Sequence, residues 1–223
     1  MEKIEKITIG ILGGTGPMGL GVGFRLSQAG HSVLIGSRDE QRAQEVVEAK
    51  KKEFNSLNLT ISGSINETAA KSDVVIVATP AEALHQTVSP LKEHLSSKLV
   101  ISMVNFLTKV GREMRPVMPA YGSMALELQH ILKDSQIAVA FNHMPAEELL
   151  DLNFNLDSDV AIVGSSKDAI SLTSDLVRSI KGLNPVAIGS LALSYSIESF
   201  TSVLVSGSIR NKSHLSIKFR GLE

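Results

Sequence analysis

The clearest chemical pattern in the chain is Gly14-Thr15-Gly16-Pro17-Met18-Gly19, a full G-x-G-x-x-G between an apolar run and an amphipathic stretch. In such a pattern the first glycine permits a tight turn, and the second lets a diphosphate approach the backbone. The third lets the following helix pack closely on the strand. The free N–H groups and positive end of that helix suit phosphate oxygens, so the segment reads as a dinucleotide cradle. A second pattern refines the reading. Where a site for NAD places an acid after the second strand, this chain has Ser37-Arg38. A carboxylate there would bond the ribose 2′-hydroxyl and repel a 2′-phosphate. Ser37 can instead donate a hydrogen bond to such a phosphate, Arg38 can fork onto two of its oxygens, and Arg42 adds a cation one helical turn later. The expected ligand is NADP. The competing reading makes Arg38 and Arg42 an exposed ion-pair face with Glu40 and Glu45.

Ligands of an open parallel sheet lie outside the carboxyl ends of its strands. The segments leaving the central strands are Thr79-Pro80, Met103 to Phe106, and Asn142-His143-Met144-Pro145. Thr79 and Pro80 could meet the nicotinamide ribose or simply start a helix. His143 could donate a proton or polarise a carbonyl, since imidazole titrates near neutrality, or could be a turn histidine bonded to nearby backbone. The other histidines show no metal-ligand spacing, no metal is expected, and no Ser/His/Asp arrangement is readable. The predicted pocket is rich in Met, Phe and Val and poor in acids and bases. That poverty suits hydride exchange between two bound coenzymes, in which the coenzymes carry the reactivity and the protein stacks their rings and excludes water.

These residues need a scaffold of alternating strands and helices. Strands are expected at Ile7 to Leu12, Ser32 to Ile35, Leu59 to Ser62, Asp73 to Ala78, Lys98 to Met103 and Gln136 to Phe141. Met18 to Ala29 reads as the first helix, Asp39 caps a second running through Glu53, and Pro80 opens another. Val104 to Gly122 reads as irregular and Met124 to Leu132 as helix. Beyond Pro145 come a strand (Asp159 to Val163), a helix (Lys167 to Ile180) ended by Gly182, and a strand (Pro185 to Ile188). An apolar, Ser-rich helix from Leu191 to about Ser206 and a short last strand, His214 to Phe219, complete the pattern. The expected fold is α/β: a Rossmann-type doubly wound parallel sheet over 1–145, and a small C-terminal α/β domain over 146–223.

Composition agrees with an ordinary globule. The chain has 223 residues, 43% hydrophobic, with a formal net charge of -1 and no Cys. Nothing in that balance suggests nucleic acid or membrane as a partner, and thiolate chemistry, disulfides and iron–sulfur ligation are excluded. The opening MEKIEKITIGILGG places charges before a short apolar strand, unlike a signal peptide or a spanning helix, so cytoplasm is the expected compartment.

The chain also resembles the NADPH:coenzyme F420 oxidoreductases, which pass hydride between NADP and an 8-hydroxy-5-deazaflavin. The resemblance runs through LGGTG (Leu12 to Gly16), AGHSVLIGSR (Ala29 to Arg38), HMPA (His143 to Ala146) and GLNP (Gly182 to Pro185). It continues through ES and the apolar helix from Glu198, and closes on IKF (Ile217 to Phe219). It implies a cleft holding the deazaflavin over the nicotinamide, with Thr15, Ser37, Arg38 and Arg42 gripping NADP. It further implies that His143, Met144, Pro145 and the helix around Leu204 line the deazaflavin site, and that two copies form a homodimer. The basic run Arg210, Lys212, Lys218 and Arg220 reads as a cationic rim for the acidic deazaflavin tail, or as a solvated terminus. Two other functions share the first half: an NADPH-dependent reductase of a small imine or carbonyl, and a non-catalytic NADPH sensor.

Overall fold

The computed structural model describes residues 6–222; Met1 to Glu5, the charged start of the expected N-terminal pattern, lie outside it. The first half alternates as expected: β1 (Thr8–Leu12), α1 (Pro17–Gln28), β2 (Ser32–Ser37), α2 (Glu40–Glu53) and β3 (Ile61–Ile65). A short helix α3 (Asn66–Ala69) leads into β4 (Val74–Val77), and α4 (Leu84–Val88) and α5 (Lys92–Leu95) lead into β5 (Leu99–Ser102). The chain then forms a hairpin, β6 (Leu107–Val110) and β7 (Glu113–Pro116), before α6 (Met124–Ile131) and β8 (Gln136–Val139). It ends with α7 (Ala146–Leu150), β9 (Ser158–Gly164), α8 (Lys167–Ser179), β10 (Leu183–Ser190) and α9 (Ser194–Asn211).

Eight strands form one sheet in the order β10-β9-β8-β5-β4-β1-β2-β3, with the hairpin separate. Every pairing in the large sheet is parallel except β8 with β9. The order reverses between β1 and β4, and such a switch point opens a crevice at the carboxyl ends of the strands. Alternate residues of the central strands feed two cores. Ile9, Ile11, Val74, Ile76 and Ile101 face α1, α2 and α8, whereas Val75, Val77 and Val100 face α4 and α6. Because both faces are covered, these strands read as continuous apolar runs rather than alternating ones.

The C-terminal part has no sheet of its own. Its strands β9 and β10 extend the first sheet through a short antiparallel overlap, Ala138 opposite Gly164 and Val139 opposite Val163. Two sequence expectations change. The stretch read as irregular contains the hairpin, whose two-residue loop puts Gly111 at φ 61, a value glycine adopts freely. Its strands are mostly exposed and polar, so they carry no period-2 apolar signal. The segment read as a last strand is not one. Residues 214–219 run beside β9 and receive one backbone bond, from Asp159 N–H to Ile217 O at 2.8 Å, while Phe219 N–H donates to Asp159 Oδ2 at 2.6 Å. β8 pairs only with Val163 and Gly164, so the start of β9 is open on that edge, but the tail meets it around Asp159 alone and forms no ladder.

Helix α9 is tied to α6 by a buried polar cluster. Glu198, 3% exposed, accepts from Met124 N–H at 2.8 Å and Ala125 N–H at 3.0 Å, satisfying two of the donors that begin α6. Ser123 Oγ caps Leu126 N–H and shares a 2.6 Å bond with Ser194 Oγ. Burial pushes the Glu198 carboxyl up to about 7, against the two N–H bonds, which favour the charged form. Its folded pKa therefore lies above its usual value near 4.5, and the native state holds an extra proton between the two. The associated stability is complete below pH 4.5 and is lost as pH rises through 7, by at most about 3 kcal/mol. Urea titrations between pH 4.5 and 7.5 should show this decline, and Glu198→Gln, which cannot ionise, should flatten it.

Candidate functional site

The glycine loop leaves β1 and turns at Gly13, φ 65, with a built Cβ only 2.5 Å from Thr79 Cγ2. Two bonds fix the turn: Gly13 N–H donates to Asn66 Oδ1 at 3.0 Å, and Gly14 N–H donates to Gly36 O at 2.9 Å. The second bond draws the end of β2, and with it Ser37 and Arg38, against the loop. A Cβ on Gly19 would lie 2.6 Å from Gly14 Cα, so α1 can start there only without a side chain. A Cβ on Gly16, by contrast, would meet nothing within 4 Å. Gly16 is also the N-cap of α1 and has no side-chain bond to the helix, and Pro17 has no N–H to satisfy. The open side of the loop thus presents free N–H groups at a positive helix end, the surroundings a diphosphate needs.

At the far side of the loop, Ser37 Oγ accepts from Asp39 N–H at 3.1 Å, and Asp39 caps α2 by accepting from Arg42 N–H at 3.0 Å. Asp39 is therefore employed in the helix start. Arg38 and Arg42 are both exposed, and neither forms an ion pair among the described residues. Glu45 instead bonds Gln41 at 2.8 Å, so the ion-pair face that competed with phosphate binding does not form.

On the other side of the loop lies a cavity of about 590 Å³, within the range of small-molecule sites. Met18 borders it from α1, His143, Met144 and Pro145 from the segment after β8, and Leu204 from α9. The structure therefore brings together residues that span 186 positions of sequence. Asn105 and Asn142 form part of the wall and pair reciprocally, Asn142 Nδ2 to Asn105 Oδ1 at 2.8 Å and Asn105 Nδ2 to Asn142 O at 2.7 Å. This pairing, like the Asn66 bond to Gly13, had no signal in sequence spacing.

His143 is 2% exposed, and its Nε2 accepts from Ala161 N–H at 3.0 Å. Burial lowers its pKa to about 4, so the ring is neutral near pH 7, with its proton on Nδ1. Nδ1 has no protein partner, and neither has Thr79 Oγ1 beside the glycine turn or Asn142 Oδ1. Of these three residues, His143 and Asn142 line the cavity, where a polar ligand could complete the bonding. Pro80 serves as the N-cap of the turn that precedes α4 and does not border the cavity. Of the four tail cations only Lys212 lines the cavity; Lys218 is held by Asp157 at 2.5 Å and Asp159 at 3.7 Å. No group of three metal-ligating side chains occurs among the described residues.

A G-x-G-x-x-G turn at the switch point of a largely parallel sheet defines a Rossmann-type dinucleotide-binding protein, here with a second cavity adjoining the loop. Comparison with known proteins narrows this class. The family described as "NADP oxidoreductase coenzyme F420-dependent" matches residues 8–106. The F420-dependent NADP reductase of Methanocaldococcus jannaschii is 35% identical over 210 residues, covering 92% of this chain and 94% of its own. That of Methanothermobacter marburgensis is 33% identical over 213 residues, covering 92% and 93%. A solved Arthrobacter protein, described as a candidate F420-dependent NADP-reductase, shares the fold with a TM-score of 0.80 at 18% identity, covering 96% of this chain and 100% of its own. The chain belongs to the F420-dependent NADP reductase family.

The two loop glycines should separate on substitution. Gly16→Ala should fold normally yet weaken dinucleotide binding more than tenfold, since its methyl occupies the open side where phosphate would approach. Gly19→Ala should lower the melting temperature instead, because its methyl strikes the Gly14 backbone. Calorimetry and nucleotide titration on both variants check the contrast.

Proposed function

We propose that the protein exchanges hydride between NADP(H) and coenzyme F420. The observation that carries this reading is the apolar cavity adjoining the glycine loop, walled by Met18 on one side and by His143, Met144 and Pro145 on the other. Bound side by side, the two coenzymes supply all the redox chemistry, a hydride passing between nicotinamide and deazaflavin. The chain's own residues bind, orient and keep water out. Gly14, Thr15, Gly16 and the start of α1 would hold the diphosphate, and Ser37, Arg38 and Arg42 the 2′-phosphate. Thr79 Oγ1 and the Nδ1–H of His143 are buried and unpartnered, so each can meet a polar edge of a bound ring or ribose. His143 acts as a neutral hydrogen-bond donor of fixed orientation rather than as a proton reservoir, because its Nε2 is committed to Ala161.

Two copies are proposed to associate through α9. Phe200 and Val203, three residues apart and so on one face, are 45% and 58% exposed, while Leu204, next along the helix, borders the cavity. Sedimentation should give twice the chain mass, and Val203→Glu should return it to the mass of one chain.

Mixing the protein with NADPH and oxidised F420 should bleach the deazaflavin's visible absorbance. Normal NADPH binding without bleaching would favour a reductase of small imines or carbonyls, or an NADPH sensor. Arg38→Ala should cost about 1.5–3 kcal/mol of NADP affinity, the value of a charge-assisted hydrogen bond, and leave NAD affinity unchanged. Equal affinity of the unaltered protein for NAD and NADP would reject the assignment of Arg38.

A further inference from the structure

Arg25, in the last turn of α1, is a buried cation, 5% exposed, that forms no ion pair among the described residues. Its guanidinium donates only to backbone: Nε to Leu149 O at 3.1 Å, and Nη2 to Glu148 O at 2.8 Å, Asp151 O at 2.5 Å and Phe154 O at 3.0 Å. These carbonyls belong to the end of α7 and the turn after it. A helix end leaves such carbonyls without partners and carries partial negative charge, so a planar cation with several donors suits it. Helix α7 has only five residues and cannot hold its shape or position alone. One turn before Arg25, Gly21 lies against the same helix: a Cβ there would sit 2.7 Å from Leu149 Cβ and 3.3 Å from the Leu149 carbonyl carbon. Gly21 brings the two backbones together and Arg25 stitches them.

The consequence lies at both ends of α1. Its N-terminal end borders the glycine loop, nine residues and about 13 Å of helix before Arg25. Helix α7 begins at Ala146, directly after His143-Met144-Pro145, and that segment's other end leaves β8. The cavity wall is thus pinned on one side by the sheet and on the other by α1. We propose that Arg25 and Gly21 are positioning residues that set the gap between the dinucleotide loop and the second-cavity wall, and hence the approach of the two reacting rings. The inference rests on the two-coenzyme reading for its effect on rate, although the clamp itself is a property of the coenzyme-free chain. Hydride exchange needs reacting atoms at about 3–3.5 Å, and a misplacement of about 1 Å can cost a hundredfold in rate.

Full-length Arg25→Lys keeps the charge but loses the fork, and full-length Gly21→Ala keeps Arg25 but forces the helices apart. In the coenzyme-free proteins, amide hydrogen exchange across 142–154 should quicken at least about tenfold while β1 and α2 keep their protection. With both coenzymes, single-turnover hydride transfer should slow about 10- to 100-fold. The deuterium isotope effect with labelled NADPH should become larger and more temperature-dependent, while the NADP dissociation constant stays as in the unaltered protein. Unchanged exchange across 142–154 would overturn the proposal. So would a slowed turnover with an unaltered isotope effect, which is the mark of a purely structural role. Should Arg25→Lys fail to fold, Gly21→Ala alone decides. If the unaltered protein transfers no hydride, the two-coenzyme reading fails, and the exchange measurement still judges the clamp.

Discussion

The structure depends on α1 meeting its neighbours backbone to backbone. A methyl at Gly19 would sit 2.6 Å from the Gly14 backbone, and one at Gly21 would sit 2.7 Å from Leu149. Contacts this close tolerate no side chain, so they hold α1 at one distance from the loop and at one distance from α7. The helix therefore acts as a rigid spacer: its first turn adjoins the glycine loop, and its last turn carries the cation bonded to the end of α7. Loosening either contact would move two sites relative to each other, beyond the cost of the packing defect itself.

Charge and apolar surface are sorted along this spacer. Exposed cations stand at Arg38 and Arg42, past the end of β2, where neither is neutralised by a neighbouring acid among the described residues. On the other side of the loop the walls are Met, Pro and Leu, and the imidazole of His143 is kept neutral by burial and bonded to a backbone N–H. A neutral imidazole among fixed dipoles matches a reaction in which the protein moves no proton of its own, and the charged or titratable lining residues Glu147, Lys212 and His214 are exposed. Glu198, the other buried group held far from its ordinary pKa, is occupied at the start of α6 and supports the scaffold that carries α9 past the cavity.

Much of this was readable before any coordinates. The glycine spacing located the cradle, because only residues without a side chain permit that turn and that helix approach. Ser37 and Arg38 fall beside the glycine loop because the position after β2 is set by the βαβ unit itself. The HMPA segment was placed at a strand end by the apolar run before it, and the structure puts His143, Met144 and Pro145 on the cavity with Met18 and Leu204. The hairpin at 107–116 escaped because its exposed strands lack alternation. The expected terminal strand does not form because the tail meets the open start of β9 around Asp159 alone, too short a contact for a ladder.

What the sequence determined by itself is local: turn glycines, helix starts, apolar strands buried on both faces, and the residue types at each strand exit. These follow from backbone sterics and periodicity within a few residues. The tertiary structure decided which distant groups became partners. It spent Lys218 on Asp157, joined Asn105 to Asn142, placed β9 antiparallel on the first sheet, and buried Arg25 among four carbonyls more than a hundred residues away. Such choices depend on how the packed layers bring chain segments together in space, and no spacing along the chain encodes that distance.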